Sequence, residues 1–182
     1  MFDVPALSTD DQSSVSLADS FTDITGHPFA SAINTLASLG IVNTQTNNFY
    51  PDNYLRHYDF TVLFVNSLLT ANDTSLSTMN PSSSTFADVA STVSYLPQLT
   101  YAANRGLIDY ITMSKRGQLY FQPDSFMTKN EVYHILSKAL NIQFIYDEQQ
   151  ADQQKISRGE LAKLLVDSFQ FQPKISGSDS LS

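Results

Sequence analysis

The chain has 182 residues, with 10 Lys and Arg against 18 Asp and Glu and a formal net charge of −8. That length allows one domain or two small ones with a sizeable core, and 42% hydrophobic residues exclude wholesale disorder. No Lys/Arg cluster offers nucleic acid or an anionic membrane a counterion-releasing patch, no apolar run reaches the about 18 residues of a bilayer span, and the lack of cysteine excludes disulfides, thiolate metal sites and cysteine nucleophiles.

Residues 1–20 are polar and acidic and read as a flexible lead-in. The opening stretch MFDVPALSTDDQSS lacks the basic and apolar regions of a signal peptide, so an exported protein would carry this chain as a mature form or an excised piece. A first compact unit follows over 21–70. It runs Phe21-Thr22-Asp23-Ile24, an expected helix over Phe29–Leu39 with Ala32, Ile33, Leu36 and Leu39 on one face, then Gly40-Ile41. It continues with Phe49-Tyr50-Pro51 and the hexapeptide Leu55-Arg56-His57-Tyr58-Asp59-Phe60. Ala71 to Thr85, rich in Ser, Thr and Asn, reads as a linker.

The second unit, 86–140, repeats the order: Phe86-Ala87-Asp88-Val89, a helix over about Val93–Arg105, Gly106-Leu107, Phe121-Gln122-Pro123, and Met127-Thr128-Lys129-Asn130-Glu131-Val132. Phe to Gly is 19 residues in one unit and 20 in the other, and Pro to the hexapeptide acid is 8 in both. Gly40 and Gly106 stand where a helix wants a left-handed residue after its last turn. A partial third unit, 141–170, holds Ile156-Ser157-Arg158-Gly159-Glu160-Leu161, whose acid Glu160 falls 29 residues after Glu131. Its first half, Asn141–Lys155, is a polar bridge around Ile142-Gln143-Phe144-Ile145, and its pattern leaves helix and coil both open. The tail, 171–182, reads as flexible.

Thr128 with Glu131 and Ser157 with Glu160 have capping-box spacing, while Arg56 replaces the hydroxyl in the first hexapeptide and weakens that start. Three helical stripes follow the acids: Phe60, Leu63, Phe64, Leu68; Val132, Ile135, Leu136, Leu140; and Leu161, Leu164, Leu165, Phe169. The simplest expectation is that these stripes face one another, with Leu164→Ala costing roughly 2–5 kcal/mol.

The ordered set Phe-x-Asp-aliphatic, Gly-aliphatic, Phe-x-Pro and hexapeptide resembles the S-layer homology (SLH) family over most of 21–170. The resemblance implies an all-α, pseudo-threefold bundle of short helices joined by loops. It implies a non-catalytic module, without cofactor or metal, that anchors surface proteins to secondary cell-wall polysaccharide, pyruvylated or not, or to peptidoglycan. The expected place is extracellular, at a bacterial cell envelope or S-layer. The chain departs from the family in lacking Trp, and only Arg158 keeps the hexapeptide arginine, with His57 and Lys129 in the other copies. A degenerate scaffold for protein–protein assembly or self-association is therefore the alternative.

Lys129 and Arg158 fall at the first helical position, where a cation opposes the helix dipole. A cation beside free amides makes an anion site, and a guanidinium adds a bidentate fork for a carboxylate. Arg158 is favoured as that site, with Arg158→Ala expected to weaken binding at little cost to the fold. At Lys129, anion site and solvated surface cation remain equal readings. His57 reads first as a partly packed polar ring. Asp23 and Asp88 read first as helix or turn caps, and the resemblance puts them near the ligand groove. Tyr50, Tyr54, Tyr110 and Tyr120 are candidates for stacking on sugars, with loop or core roles as the commoner reading. Paired catalytic carboxylates, a nucleophile elbow and metal-spaced histidines are not recognisable.

Overall fold

A computed structural model describes residues 19–76 and 81–174. The expected lead-in over 1–18, the middle of the linker (77–80) and the tail from 175 lie outside the described residues. Six α-helices form: α1 (Ala30–Ser38), α2 (His57–Ala71), α3 (Leu96–Asn104), α4 (Lys129–Leu140), α5 (Glu148–Gln153) and α6 (Arg158–Phe169). A short antiparallel hairpin, β1 (Met113–Lys115) with β2 (Gln118–Tyr120), fills the longer loop of the second unit. No helix among the described residues is long and apolar enough to cross a membrane.

The local signals decide the helix ends. α1 stops in a Schellman turn, with Gly40 at φ +71°, its N–H on the Ala37 carbonyl and the Ile41 N–H on Leu36. α3 stops the same way at Gly106, φ +62°. Both expected capping boxes form at the starts of α4 and α6. Arg56 gives α2 no side-chain cap.

The three hexapeptides meet at one axis. Leu55 N–H donates to the Ile156 carbonyl (2.9 Å), Ile156 to Met127 (3.2 Å) and Met127 back to Leu55 (2.9 Å), closing a ring of backbone hydrogen bonds. Two residues on, the pattern recurs: His57 N–H to Ser125, Lys129 to Gln154 and Arg158 to Asn53. The side chains of Leu55, Met127 and Ile156 are buried beneath the ring. Such bonds satisfy the amides of chain that belongs to neither helix nor extended sheet.

The helical stripes do not chiefly face one another, as the sequence leads one to expect. α2 packs on α3, α4 on α5, and α6 closes back on α1, so each stripe covers the first helix of the following unit. The ring holds the helix starts together and leaves the stripes to find those neighbours. Phe21 on Phe49 (5.5 Å between ring centroids) and Phe86 on Phe121 (5.6 Å) plug the first two units alike. Within the third stripe, Leu161 and Leu165 are fully buried but Leu164 only partly, so the large truncation cost moves to Leu165. α5 forms behind Asp147, whose carboxylate accepts the Gln150 N–H. Beyond α6, Phe171 stacks on Phe169 and the Lys174 N–H reaches Ser38 Oγ, so the start of the expected flexible tail is bonded to α1.

Candidate functional site

The backbone ring sets the first helical residues of two hexapeptides, His57 and Arg158, against the Phe-x-Pro loop of another unit. At α6, Arg158 N–H donates to the Asn53 carbonyl and Gly159 N–H to Pro51. This lays the Arg158 guanidinium over the Phe49 ring, 4.7 Å from its centroid. Its Nε donates to the Phe49 carbonyl (2.9 Å), and its Nη1 pairs with Asp59 Oδ1 (3.1 Å). Asp59 is the hexapeptide acid of the first copy. With no hydroxyl at Arg56 to complete a capping box, it serves the arginine instead.

The loop that carries Phe49 is itself clamped. Asp23 Oδ1 accepts the Phe49 N–H (2.8 Å) and Oδ2 the Tyr50 N–H (2.6 Å). Tyr50 has φ +59°, a left-handed backbone unusual for an aromatic residue, and the two bonds hold it there. Asp88 repeats the clamp on Phe121 and Gln122 (2.9 and 2.7 Å), with Gln122 at φ +54°. Neither aspartate caps a helix. Each fixes the loop on which the adjacent hexapeptide side chain rests, which makes them positioning residues.

Arg158 lines two cavities. One, of about 680 Å³, is walled by neutral polar side chains including Asn43, Thr44, Asn48, Asn66 and Gln98. The other, of about 340 Å³, is lined by Tyr50, Asn53, Tyr54 and Tyr58. Burial and the neighbouring Asp59 both push the Tyr58 hydroxyl above its ordinary pKa, leaving it a hydrogen-bond donor at neutral pH. Arg158 keeps part of its side chain open while three of its features are held, so Arg158→Ala removes packing and an ion pair as well as a cation. That corrects the expectation of little cost to the fold.

The corresponding residues of the other two hexapeptides are His57 and Lys129. His57 occupies on α2 the place Arg158 has on α6: its ring lies 5.9 Å from Phe121, and Nδ1 donates to the Phe121 carbonyl (3.0 Å). It is buried, as the packed-ring reading has it. Lys129 turns to Glu160, Nζ to Oε1 at 2.9 Å, while Glu160 Oε2 accepts the Ser157 N–H. Burial works to raise the Glu160 carboxyl, but the Ser157 amide and the Lys129 ammonium outweigh it and hold the group below its ordinary value. The structure thus brings Asp23 and Arg158 to the Phe49 loop and Asp88 and His57 to the Phe121 loop, and pairs Lys129 with Glu160. Sequence reasoning missed Asp59, whose signal was an acid at capping-box spacing with no hydroxyl to serve.

Among the described residues, no group of three or more His, Asp or Glu side chains is placed to hold a metal ion. Compared with curated proteins, the chain matches none. Residues 20–59 match the family model of the S-layer homology domain. They span the Asp23 clamp, α1, the Gly40 turn, Phe49-x-Pro51 and the first hexapeptide through Asp59. Domains of this family are non-catalytic binding modules that associate proteins with the cell wall at the cell surface. Residues 20–59 are thus similar to an S-layer homology domain, in a chain that folds mostly as short helices.

Proposed function

We propose that the chain is an anchoring module that binds secondary cell-wall polysaccharide or peptidoglycan through the groove at Arg158, on the outside of a bacterial cell envelope. The observation that carries this is the guanidinium laid over Phe49, lining two cavities that are rich in polar side chains. Amide and hydroxyl side chains suit the hydroxyls of a sugar, and the guanidinium hydrogens not used by Phe49 and Asp59 remain for an acceptor on the ligand. The organisation that goes with it is a unit over 21–70, another over 86–140 and a partial third over 141–170.

Purified sacculi of the producing organism, before and after removal of pyruvyl groups, test the reading in a pelleting assay. The chain should pellet, and Arg158→Gln should pellet less. Absence of pelleting with either preparation would refute it. His57 is buried and Lys129 is paired with Glu160. Those two observations favour a second reading for the remaining surfaces, a scaffold that assembles with another envelope protein or its own copy. Light scattering that finds a strict monomer, together with pelleting, would count against it.

A further inference from the structure

Between α4 and α5 the chain runs Asn141-Ile142-Gln143-Phe144-Ile145-Tyr146-Asp147 without helix or paired strand. Burial alternates along it: Ile142, Phe144 and Tyr146 are half-buried, and Gln143 and Ile145 are exposed. That period of two marks an extended strand with one face covered. The covered face is pinned to α4. The Phe144 ring lies 5.0 Å and the Tyr146 ring 4.7 Å from that of Tyr133, and the Tyr146 hydroxyl donates to Asn130 Oδ1 (2.9 Å). Asn130 Nδ2 in turn donates to Asp152 Oδ1 of α5 (2.6 Å), so the far end is held as well. The other face carries Ile145, which is 100% exposed.

Among the described residues, nothing bonds the backbone N–H and C=O groups of Gln143, Phe144, Ile145 and Tyr146. The segment is thus a strand edge with no strand beside it, rich in β-branched and aromatic residues and without charge from Asn141 to Tyr146. Such edges are ordinarily blunted by a lysine or a proline, and neither stands between 141 and 147. Charges of opposite sign flank it. Lys138 lies in the last turn of α4, and Asp147 and Glu148 open α5. None of the three has an ion pair among the described residues.

We propose that this edge pairs with the same edge of a second copy of the chain, antiparallel about a twofold axis at Ile145. Backbone groups of each strand then satisfy those of the other, and the two Ile145 side chains bury against each other. The charges select this arrangement. Counted from the axis, Asp147 and Glu148 of one copy fall opposite Gln143 and Ile142 of the other, and the Ile142 N–H is bonded to the Ser137 carbonyl, beside Lys138. Parallel pairing in register would instead set Asp147 on Asp147 and Lys138 on Lys138. Between copies of net charge −8, an uncharged edge is where approach meets least repulsion. A strand of this length buries less than the about 1,200 Å² of stable complexes, so the dimer is weak in dilute solution. Copies held side by side on one surface raise the effective concentration and favour it. The pairing rests on the scaffold reading, for which it names the surface and the partner, and it uses none of the Arg158 contacts.

Light scattering and analytical ultracentrifugation of the full chain test this, at concentrations up to about 1 mM, the range that tethering supplies. The chain should shift from monomer to dimer and no further. Ile145→Lys, at a fully exposed position, should abolish the shift while circular dichroism stays that of the parent. The chain has no cysteine, so Ile145→Cys gives a single reporter. Oxidised with copper phenanthroline, that variant should form an intermolecular disulfide several-fold faster than Lys115→Cys, an exposed control on the hairpin. Equal rates would overturn the pairing. Association that survives Ile145→Lys would overturn it too and leave the scaffold reading on another surface. A strict monomer that still pellets with sacculi would overturn it and leave the anchoring role. Oligomers beyond the dimer would overturn the twofold arrangement, and an unrelated extended peptide bound at Ile145 by a chain that stays monomeric would overturn the second copy as the occupant.

Discussion

Replacing Asp23 by alanine removes both acceptors from the Phe49 and Tyr50 amides. A hydrogen bond to a charged group contributes about 1.5–3 kcal/mol, and more of that is lost where water cannot take its place. The Phe49 amide is half-buried and should count in full, whereas the Tyr50 amide is exposed and should count for about 0.5–1 kcal/mol after resolvation. Together the loss is about 2–4 kcal/mol. Asp23→Asn keeps one acceptor and should recover roughly half. Urea unfolding, followed by circular dichroism, reads the midpoint at constant slope. The same variant frees the Phe49 carbonyl that holds Arg158 Nε, so pelleting with sacculi should fall in the protein that remains folded. Asp88→Ala, at a more exposed clamp, should cost only about 1–2 kcal/mol and spare the pelleting. An Asp23→Ala midpoint within about 0.5 kcal/mol of the parent would refute the clamp as the element that holds the groove.

Leu165→Ala should cost about 2–5 kcal/mol by the same measurement and Leu164→Ala distinctly less, because only Leu165 is fully enclosed. Gly159→Ala places a Cβ 2.7 Å from Phe29 Cδ2 and 3.2 Å from the Pro51 carbonyl oxygen, so it should destabilise by about 1–3 kcal/mol, and Phe29→Ala in the same chain should remove most of that added cost. Glu160 has a folded pKa below its ordinary value near 4.5, so its stabilising contribution is complete above about pH 5 and is lost as pH falls through the lowered folded value. In acid titrations of stability, Glu160→Gln should flatten this limb, and an unchanged pH profile would contradict the Lys129–Glu160–Ser157 arrangement.

The features legible in the sequence were those set by near neighbours. Thr128-x-x-Glu131 and Ser157-x-x-Glu160 declared their capping boxes, and Gly40 and Gly106 their left-handed turns, because each signal spans one helical turn. The Asp23 clamp joins residues 26 and 27 apart and was hidden, since spacing alone cannot distinguish an aspartate that caps from one that reaches a distant loop. His57 on Phe121 and Arg158 on Phe49 are separated by 64 and 109 residues and needed the backbone ring to meet. The hairpin was missed because its strands are mostly exposed and lack alternation, and its left-handed Arg116-Gly117 turn carries an unusual first residue. α5 was left open because, of its six residues, only Ala151 is buried.

The closure of α6 on α1 separates the unit of sequence from the unit of folding. Cut out alone, residues 20–59 would keep α1 without its cover and the first turn of α2 without α3 to rest on. Native contacts must instead join segments more than a hundred residues apart before the first unit is complete, a topology that favours a slow, all-or-none transition. Asp19 and Lys174 both bond to α1, through Asn34 and Ser38, so the described chain forms a near-closed loop. A circularly permuted version joined across that gap should therefore keep the native arrangement, whereas deleting any one hexapeptide should unfold the whole.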